Sequence, residues 1–296
     1  MPGRELADAI ETALRSALGN DFTLAAFDAV EGAHTLKLAG RRGERVFVKL
    51  APTAELDRLA AEADGLAALA AQGAFKTPQV IAQGATANSA FLALEFLDLR
   101  PLSREQGARA GEALAALHAP RDASYGWFRD NFIGATPQTN TPHDFWPFFF
   151  ASRRLRPQFE LAASKGFRGK LQEHGERICD KSSAFFFEYR PSPALLHGDL
   201  WNGNIGELPD GTPAIFDPAV YIGDREADLA MTELFGGFPD SFYAAYRRAA
   251  PLDVGYEQRK PLYNLYHVLN HLNLFGRSYL RQAEWMAAKL FNELRH

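Results

Sequence analysis

The sequence predicts an α/β fold of the α+β kind in two lobes. A small antiparallel sheet with a helix spans residues 1–97, and a larger, mainly helical part spans 98–296. Three observations predict it. Apolar residues alternate or run together from Phe22 to Leu50 and again from Thr77 to Leu99. A helical period fills the segment between those two stretches. Beyond Leu102 helical patterns dominate, interrupted by one compact strand–turn–strand pattern at Leu195–Ala219.

The elements follow in order. Leu6, Ile10, Leu14 and Leu18 stand one helical turn apart and predict an amphipathic helix ending at Gly19. "FTLAAFDAV", "HTLKLAG" and "RVFVKL" read as three strands joined by the turns "EGA" and "GRRGE". Leu56, Leu59, Ala63, Leu66 and Leu69 form the stripe of a second helix. "TPQVIAQGAT" and "SAFLALEFLDL" are two further strands. Ser103, with Gln106 three residues on, predicts a capping box at the start of a helix. A long aromatic loop runs from Tyr125 to Trp146. Helical patterns cover "FWPFFFASRRLRPQFELAAS" and "GKLQEHGERICDKSSAFF", and again Arg225 to the end. The triplets Phe148–Phe150 and Phe185–Phe187 are expected in the core.

Bulk properties narrow the function. The chain has 296 residues, 47% hydrophobic and 23% charged, enough for a substantial core. The formal net charge is −4 and the pI about 6.1, with basic residues scattered, so no nucleic-acid footprint is expected. The single cysteine, Cys179, excludes a disulfide framework within the chain and suits a reducing cytoplasm. The N-terminal segment lacks the apolar stretch of a signal peptide, and no apolar run approaches a membrane span. Composition does not fix the oligomeric state.

The chemistry concentrates in "LLHGDLWNGNIGELPDGTPAIFDPA", Leu195 to Ala219. Asp199 is followed five residues on by Asn204 and eighteen on by Asp217. Each alone reads equally well as a turn former. The Asp–Asn spacing, however, matches the catalytic loop of kinases, in which the Asp addresses the acceptor hydroxyl and the Asn binds Mg²⁺. Asp217, at the end of the apolar strand "PAIF", supplies the second metal ligand. Two hard oxygen donors for Mg²⁺ and one carboxylate for the nucleophile are what phosphoryl transfer asks of a protein. Upstream, Lys49 sits on a strand in "VFVKL", and Glu62 lies on or beside the apolar stripe of the next helix. Separately these are an outward-facing lysine and an edge carboxylate. Together they form the Lys–Glu pair that positions ATP phosphates in a kinase-like small lobe. The turn "VEGAH", with Gly32, is placed to cover phosphates, although its one glycine fits an ordinary hairpin turn as well. His197, two residues before Asp199, is read as structural. His267 and His271, four apart on a late helix, are read as satisfied helix histidines because no third metal ligand is apparent.

Asp228, where a helix begins, lies only eleven positions beyond Asp217. There is no DFG, no APE and no long activation segment, so a peptide-docking platform is missing. The pattern is that of aminoglycoside phosphotransferase-like kinases of small molecules. Within that group "LLHGDLWNGN", "GDREADLAMTELFGGFP", "YNLYHVLNHLNLFG", "YGWFRDNFIGATPQTN" and "FFASRRLRPQFELA" resemble the fructosamine kinase (ketosamine-3-kinase) family over nearly the whole chain. The resemblance implies a protein kinase-like fold. It also implies ATP-dependent, Mg²⁺-supported phosphorylation of the third-carbon hydroxyl of a ketosamine, free or on a protein lysine, leading to deglycation. On that resemblance Asp199 is the base, Asn204 and Asp217 the metal ligands, and Lys49 and Glu62 the phosphate-positioning pair. The hinge Leu94–Leu97, with Glu95, Phe96 and Leu97, binds adenine through its backbone. "VEGAH" departs from the family's Gly-rich, Cys-containing turn, which leaves phosphate-loop contacts open.

For the sugar, Trp201 offers a stacking surface two residues past Asp199, the alternative being a core anchor. Gln138 and Asn140 offer hydrogen bonds to hydroxyls, the alternative being a loop brace. The rival functions are a choline- or aminoglycoside-type kinase and a catalytically silent nucleotide-binding module. The intact set of Lys49, Glu62, Asp199, Asn204 and Asp217 argues against silence.

Overall fold

A computed structural model describes residues 3–29 and 35–295, so Gly32 and the turn Val30–His34 lie outside the described residues. The chain forms two compact units. Unit 1 contains residues up to 100 together with 206–217, and unit 2 contains 101–205 and 218 onward.

In chain order, α1 (Arg4–Leu18) precedes β1 (Leu24–Ala29), β2 (Thr35–Gly40) and β3 (Arg45–Pro52). Then come α2 (Leu56–Ala70), β4 (Val80–Ala85) and β5 (Ser89–Glu95). The five strands make one antiparallel sheet in the order β1-β2-β3-β5-β4. Strand parity sorts its side chains. Val46 and Val48 of β3, with Phe91 and Ala93 of β5, pack with Leu6, Ile10 and Leu14 of α1. Ala51, Ala90, Leu92 and Leu94 pack with Leu59, Ala63 and Leu66 of α2. Lys49 shares the parity of Ala51, so the alternation that buries Val48 against α1 turns Lys49 toward α2. Leu56 departs from the expected stripe: as the first residue of α2 it is exposed.

Unit 2 continues with α3 (Gly107–Leu117), β6 (Asn131–Ile133), β7 (Thr136–Gln138), α4 (Trp146–Phe150), α5 (Arg156–Ser164) and α6 (Lys170–Asp180). A π-helical turn over Ala151–Leu155 joins α4 to α5. The Ser103 hydroxyl accepts from Gln106 N at 3.3 Å, but in a turn that precedes α3 rather than at its cap. β6 and β7 form a small hairpin inside the expected aromatic loop. Of the two aromatic triplets, Phe149, Phe150 and Phe186 are buried, while Phe148 and Phe187 face solvent. A helical register cannot turn three consecutive side chains inward.

The chain then forms β8 (Pro193–Leu196), β9 (Ile205–Glu207), β10 (Pro213–Ile215) and β11 (Tyr221–Asp224). The expected single strand–turn–strand unit is two pairings, one nested inside the other in sequence. β8 pairs with β11, and β9 pairs with β10. The stretch 197–204 between β8 and β9 is too long for a hairpin turn and loops instead. Arg100 and Glu207 exchange backbone hydrogen bonds of 2.9 Å, while Lys76 N donates to Pro213 O and Ile215 N to Lys76 O. These bonds stitch residues 206–217 onto unit 1. Helices α7 (Arg225–Leu234), α8 (Asp240–Ala249), α9 (Tyr256–Phe275) and α10 (Leu280–Glu293) complete unit 2 around Trp146, Phe150, Tyr263 and Leu269. No helix among the described residues is long and apolar enough to cross a membrane.

Candidate active site

Unit 1 gathers three of the residues singled out in the sequence. Lys49 Nζ lies 2.6 Å from Glu62 Oε1 and 2.5 Å from Asp217 Oδ1. The first contact follows from the parity of β3 and the inward face of α2. The second follows from the stitching of β10, which carries Asp217 to the same sheet. Burial acts to lower the Lys49 ammonium, but the two carboxylates outweigh it and hold it above its ordinary value. Burial pushes the Glu62 carboxyl up, with Lys49 acting against that push. Asp217 differs from both: its side chain is 47% exposed, against 16% for Lys49 and 11% for Glu62. Its backbone φ is +56°, the left-handed region that Asp tolerates better than most residues but that still costs energy.

A cavity of about 290 Å³ lies in the same unit, lined among others by Phe47, Leu94, Glu95, Phe96, Leu97 and Asp217. Its lining is mostly apolar and its volume is at the lower bound for a small-molecule site. The Glu95 N–H already donates to Gln79 O at 2.8 Å, and its carboxylate accepts from Lys76 at 2.6 Å. The Glu95 N–H is therefore not available to a ligand. Lys37 and Arg45 stand over the Phe96 ring at 5.3 and 4.5 Å from its centre.

Unit 2 holds the second group. The loop after β8 begins His197-Gly198-Asp199. Gly198 has φ +83°, and a Cβ there would come within 2.0 Å of Ala219 O, so the turn admits no side chain. The His197 ring accepts from Asp199 N at 3.3 Å, the backbone-fixing role read for it. Asn204 Nδ2 donates to Asp199 O at 2.8 Å and to Asp199 Oδ2 at 3.2 Å. The amide nitrogen is thus spent on Asp199, and the chemistry left to Asn204 is that of its oxygen. Trp201 is half-buried. Its ring lies over Gly203, where a Cβ would meet it at 2.3 Å, and stands edge-on to Phe235 at 6.1 Å.

Gln138 and Asn140 take a different place from the one expected. Both are buried and their amides are occupied by the protein. Gln138 donates to Asn131 Oδ1 and Ala219 O and accepts from Tyr266. Asn140 donates to Arg129 O and Asn131 Oδ1 and accepts from Arg154. Every N–H is used, so these side chains brace the β6–β7 loop. A sugar hydroxyl would have to displace a buried bond to reach them.

Two residues of this group were not singled out for it in the sequence. Asp228 of α7 accepts from His197 N at 2.6 Å and Gly198 N at 2.8 Å, and its Oδ2 lies 3.2 Å from His118 Nε2. Burial acts to raise its carboxyl, but His118, His197 and the Gly198 N–H outweigh it and hold it below the ordinary range. The signal was present in "GDREADL", where Asp224, Glu226 and Asp228 all lie at buried positions of one helix start. The other residue is His267 of α9, whose Nδ1 lies 4.0 Å from Asp199 Oδ1. Burial, aided by His271, pushes its ring down to about 3, so the imidazole is neutral. The reading of His267 as a satisfied helix histidine does not hold: its buried Nδ1 has no hydrogen-bond partner among the described residues, whereas His271 Nδ1 donates to the His267 carbonyl.

Comparison with known proteins fits this geometry. A profile of the fructosamine kinase family matches residues 6–293. A Synechocystis sp. protein named as a probable ketoamine kinase is 46% identical over 244 residues, 82% of either chain. A solved Haemophilus somnus 129PT structure, described as a candidate fructosamine-3-kinase, matches with a TM-score of 0.87 at 28% identity, covering 95% of this chain and 96% of its own. An amicoumacin kinase matches with a TM-score of 0.60 at 13% identity, covering 99% of this chain and 94% of its own, a likeness of fold alone. The chain belongs to the fructosamine kinase family and is an ATP-dependent phosphotransferase with a protein kinase-like fold.

Proposed function

We propose that the protein transfers the γ-phosphoryl group of ATP to the third-carbon hydroxyl of a ketoamine, a ketose joined to an amine. The phosphorylated product then breaks down and releases the free amine. The observation that carries this reading is the Lys49–Glu62–Asp217 cluster. One cation is held between two carboxylates, one sealed and one left half-open on a strained backbone position. Relatives named as ketoamine kinases direct the reading to that acceptor class. A reducing cytoplasm suits it, since Cys179 is a free, buried thiol.

In this reading unit 1 holds the nucleotide as a nucleotide-binding lobe. The carbonyl of Glu95 and the backbone of Phe96 and Leu97 face the adenine, and Lys49, fixed by Glu62, holds phosphate oxygens. Unit 2 is the catalytic and substrate lobe. Asp199 accepts the proton of the attacking hydroxyl as its oxygen bonds to the γ-phosphorus and the bridging oxygen departs with ADP. Trp201 stacks on the sugar. The donor set suits Mg²⁺, since both Asp217 and Asn204 offer hard oxygens and neither offers sulfur or imidazole. When bound, Mg²⁺ supplies charge neutralisation of the phosphate oxygens.

The test is a panel. Purified protein with ATP and Mg²⁺ is offered a fructosamine, a ribulosamine, an erythrulosamine, choline and an aminoglycoside, with ADP formation as the readout. Ketoamines are expected to be the acceptors used. Faster use of choline or the aminoglycoside would overturn the substrate class, and no acceptor-stimulated turnover with any of them would overturn the reading.

A further inference from the structure

Nδ1 of His267 is one of the few buried side-chain polar atoms without a hydrogen-bond partner among the described residues. It faces Asp199 Oδ1 across 4.0 Å. That gap is too long for a hydrogen bond and too short to admit a bridging water. An unmatched buried nitrogen costs stability.

The ring's protonation gives the direction of the interaction. Asp228 acts to favour a proton on the ring, while His271 and Arg154 act against one. Burial leaves the ring neutral, so it carries one N–H. Were that proton on Nε2, the Nδ1 lone pair would face a carboxylate oxygen. On Nδ1 it becomes a donor aimed at that oxygen, and the carboxylate selects this tautomer.

We propose that His267 is a positioning residue for Asp199. Its Nδ1–H closes onto Oδ1 when the acceptor hydroxyl engages the carboxylate. Asn204 Nδ2 already holds Oδ2, so the two donors fix both oxygens and with them the direction in which Asp199 meets the hydroxyl. The backbone around it is tied: the His267 carbonyl accepts from His271 Nδ1 at 2.8 Å, and the neighbouring Tyr266 hydroxyl donates to Gln138 at 2.6 Å. The inference rests on the reading of Asp199 as the group that addresses the acceptor.

The test compares His267→Leu with His267→Asn, two side chains of nearly one shape. Asn keeps an N–H near the position of Nδ1, and Leu keeps none. Steady-state rates are measured with a fructosamine and ATP, alongside melting temperatures. The Leu variant is expected to lose about tenfold to a hundredfold in kcat, the worth of one hydrogen bond to a charged group. Its KM for ATP should stay within about twofold, and its melting temperature should match or exceed that of the parent. The Asn variant should keep kcat within about threefold. Equal rates in the two variants, whether both near the parent or both impaired, would overturn the inference. Should the Leu chain not fold, His267→Gln replaces it: its amide reaches the Nε2 position and should be as slow as Leu was expected to be. Parent enzyme inactive on every ketoamine is a separate result, which removes the functional reading and the inference with it.

Discussion

Two clusters of charge sit out of bulk water in this protein, and they are built differently. In unit 1, Lys49 bridges Glu62 and Asp217, and Asp217 stays half in solvent. In unit 2, Arg259 grips Glu226 through Nε and Nη2 at 2.7 and 2.9 Å, with side-chain exposures of 4% and 0%. Asp253 takes a further Arg259 bond at 2.8 Å, and the Tyr189 ring lies 3.8 Å from the guanidinium. Neighbouring Asp224 is matched on both oxygens, by Tyr189 and Glu226 N on one and Tyr263 on the other. The unit 2 cluster is nearly closed: each of these charges has partners, and only the Asp253 side chain, 32% exposed, reaches solvent. The unit 1 cluster is more open: Asp217 is 47% exposed and sits at a left-handed backbone position. Closed clusters of this kind fix a fold, whereas an open one has capacity left for a ligand.

The comparison breaks most directly at Arg259. Arg259→Ala strands a fully buried carboxylate and should cost about 3 to 5 kcal/mol of stability. Chemical denaturation measures it. Turnover per folded molecule should be unchanged. Intact stability, or a selective loss of turnover, would place this cluster in the active machinery after all.

Asp217→Asn asks the opposite question of the open cluster. Asn tolerates the left-handed backbone, so the fold should survive with its stability nearly unaltered. Lys49 keeps Glu62 as its partner. Turnover should fall about 10²- to 10³-fold, the usual loss when a group that stabilises transferring charge is removed, and the Mg²⁺ concentration needed for half-maximal rate should rise. An Mg²⁺ titration of the two proteins decides it, and an unchanged profile would remove Asp217 from the metal site.

Asp199→Asn sharpens the division of labour between the units. Replacing the carboxylate that addresses the hydroxyl should lower kcat by about 10²-fold while ATP binding, read by calorimetry, persists. Near-normal turnover would take Asp199 out of the mechanism.

These contrasts were unevenly legible in the sequence. The sheet, α2 and the pairing of Lys49 with Glu62 were readable because period and parity are local properties: Val48 inward toward α1 forces Lys49 toward α2. Asp199, Asn204 and Asp217 were readable as a spacing. The nesting of β9–β10 inside β8–β11 was not, since strand pairing depends on partners distant in sequence. The choice between sugar contact and loop brace for Gln138 and Asn140 was not readable for a related reason. A carboxamide in a loop looks the same whether it faces solvent or, as here, spends every N–H on Asn131, Ala219 and Arg129. Asp228 and His267 carry signals only in hindsight, because a buried polar residue on a helix announces its position but not what it faces.

Trp201 yields the mildest change and the finest distinction. Its ring rests on Gly203 and Phe235 within unit 2, half-buried, so part of its surface is committed to the protein and part is not. The committed part predicts a small stability loss on Trp201→Ala. The uncommitted part predicts a loss in ketoamine use of about 1 to 3 kcal/mol if the sugar stacks there. The Lys49 cluster and the cavity beside Glu95 belong to unit 1, so the KM for ATP should barely move. A tryptophan that served only as an anchor would behave otherwise, lowering the melting temperature by several degrees and harming both substrates together. One preparation of Trp201→Ala, measured for melting temperature, ATP dependence and fructosamine dependence, separates the two. A rise in fructosamine KM alone supports the stacking role. Parallel losses for ATP and fructosamine with a lowered melting temperature would return Trp201 to the core of unit 2.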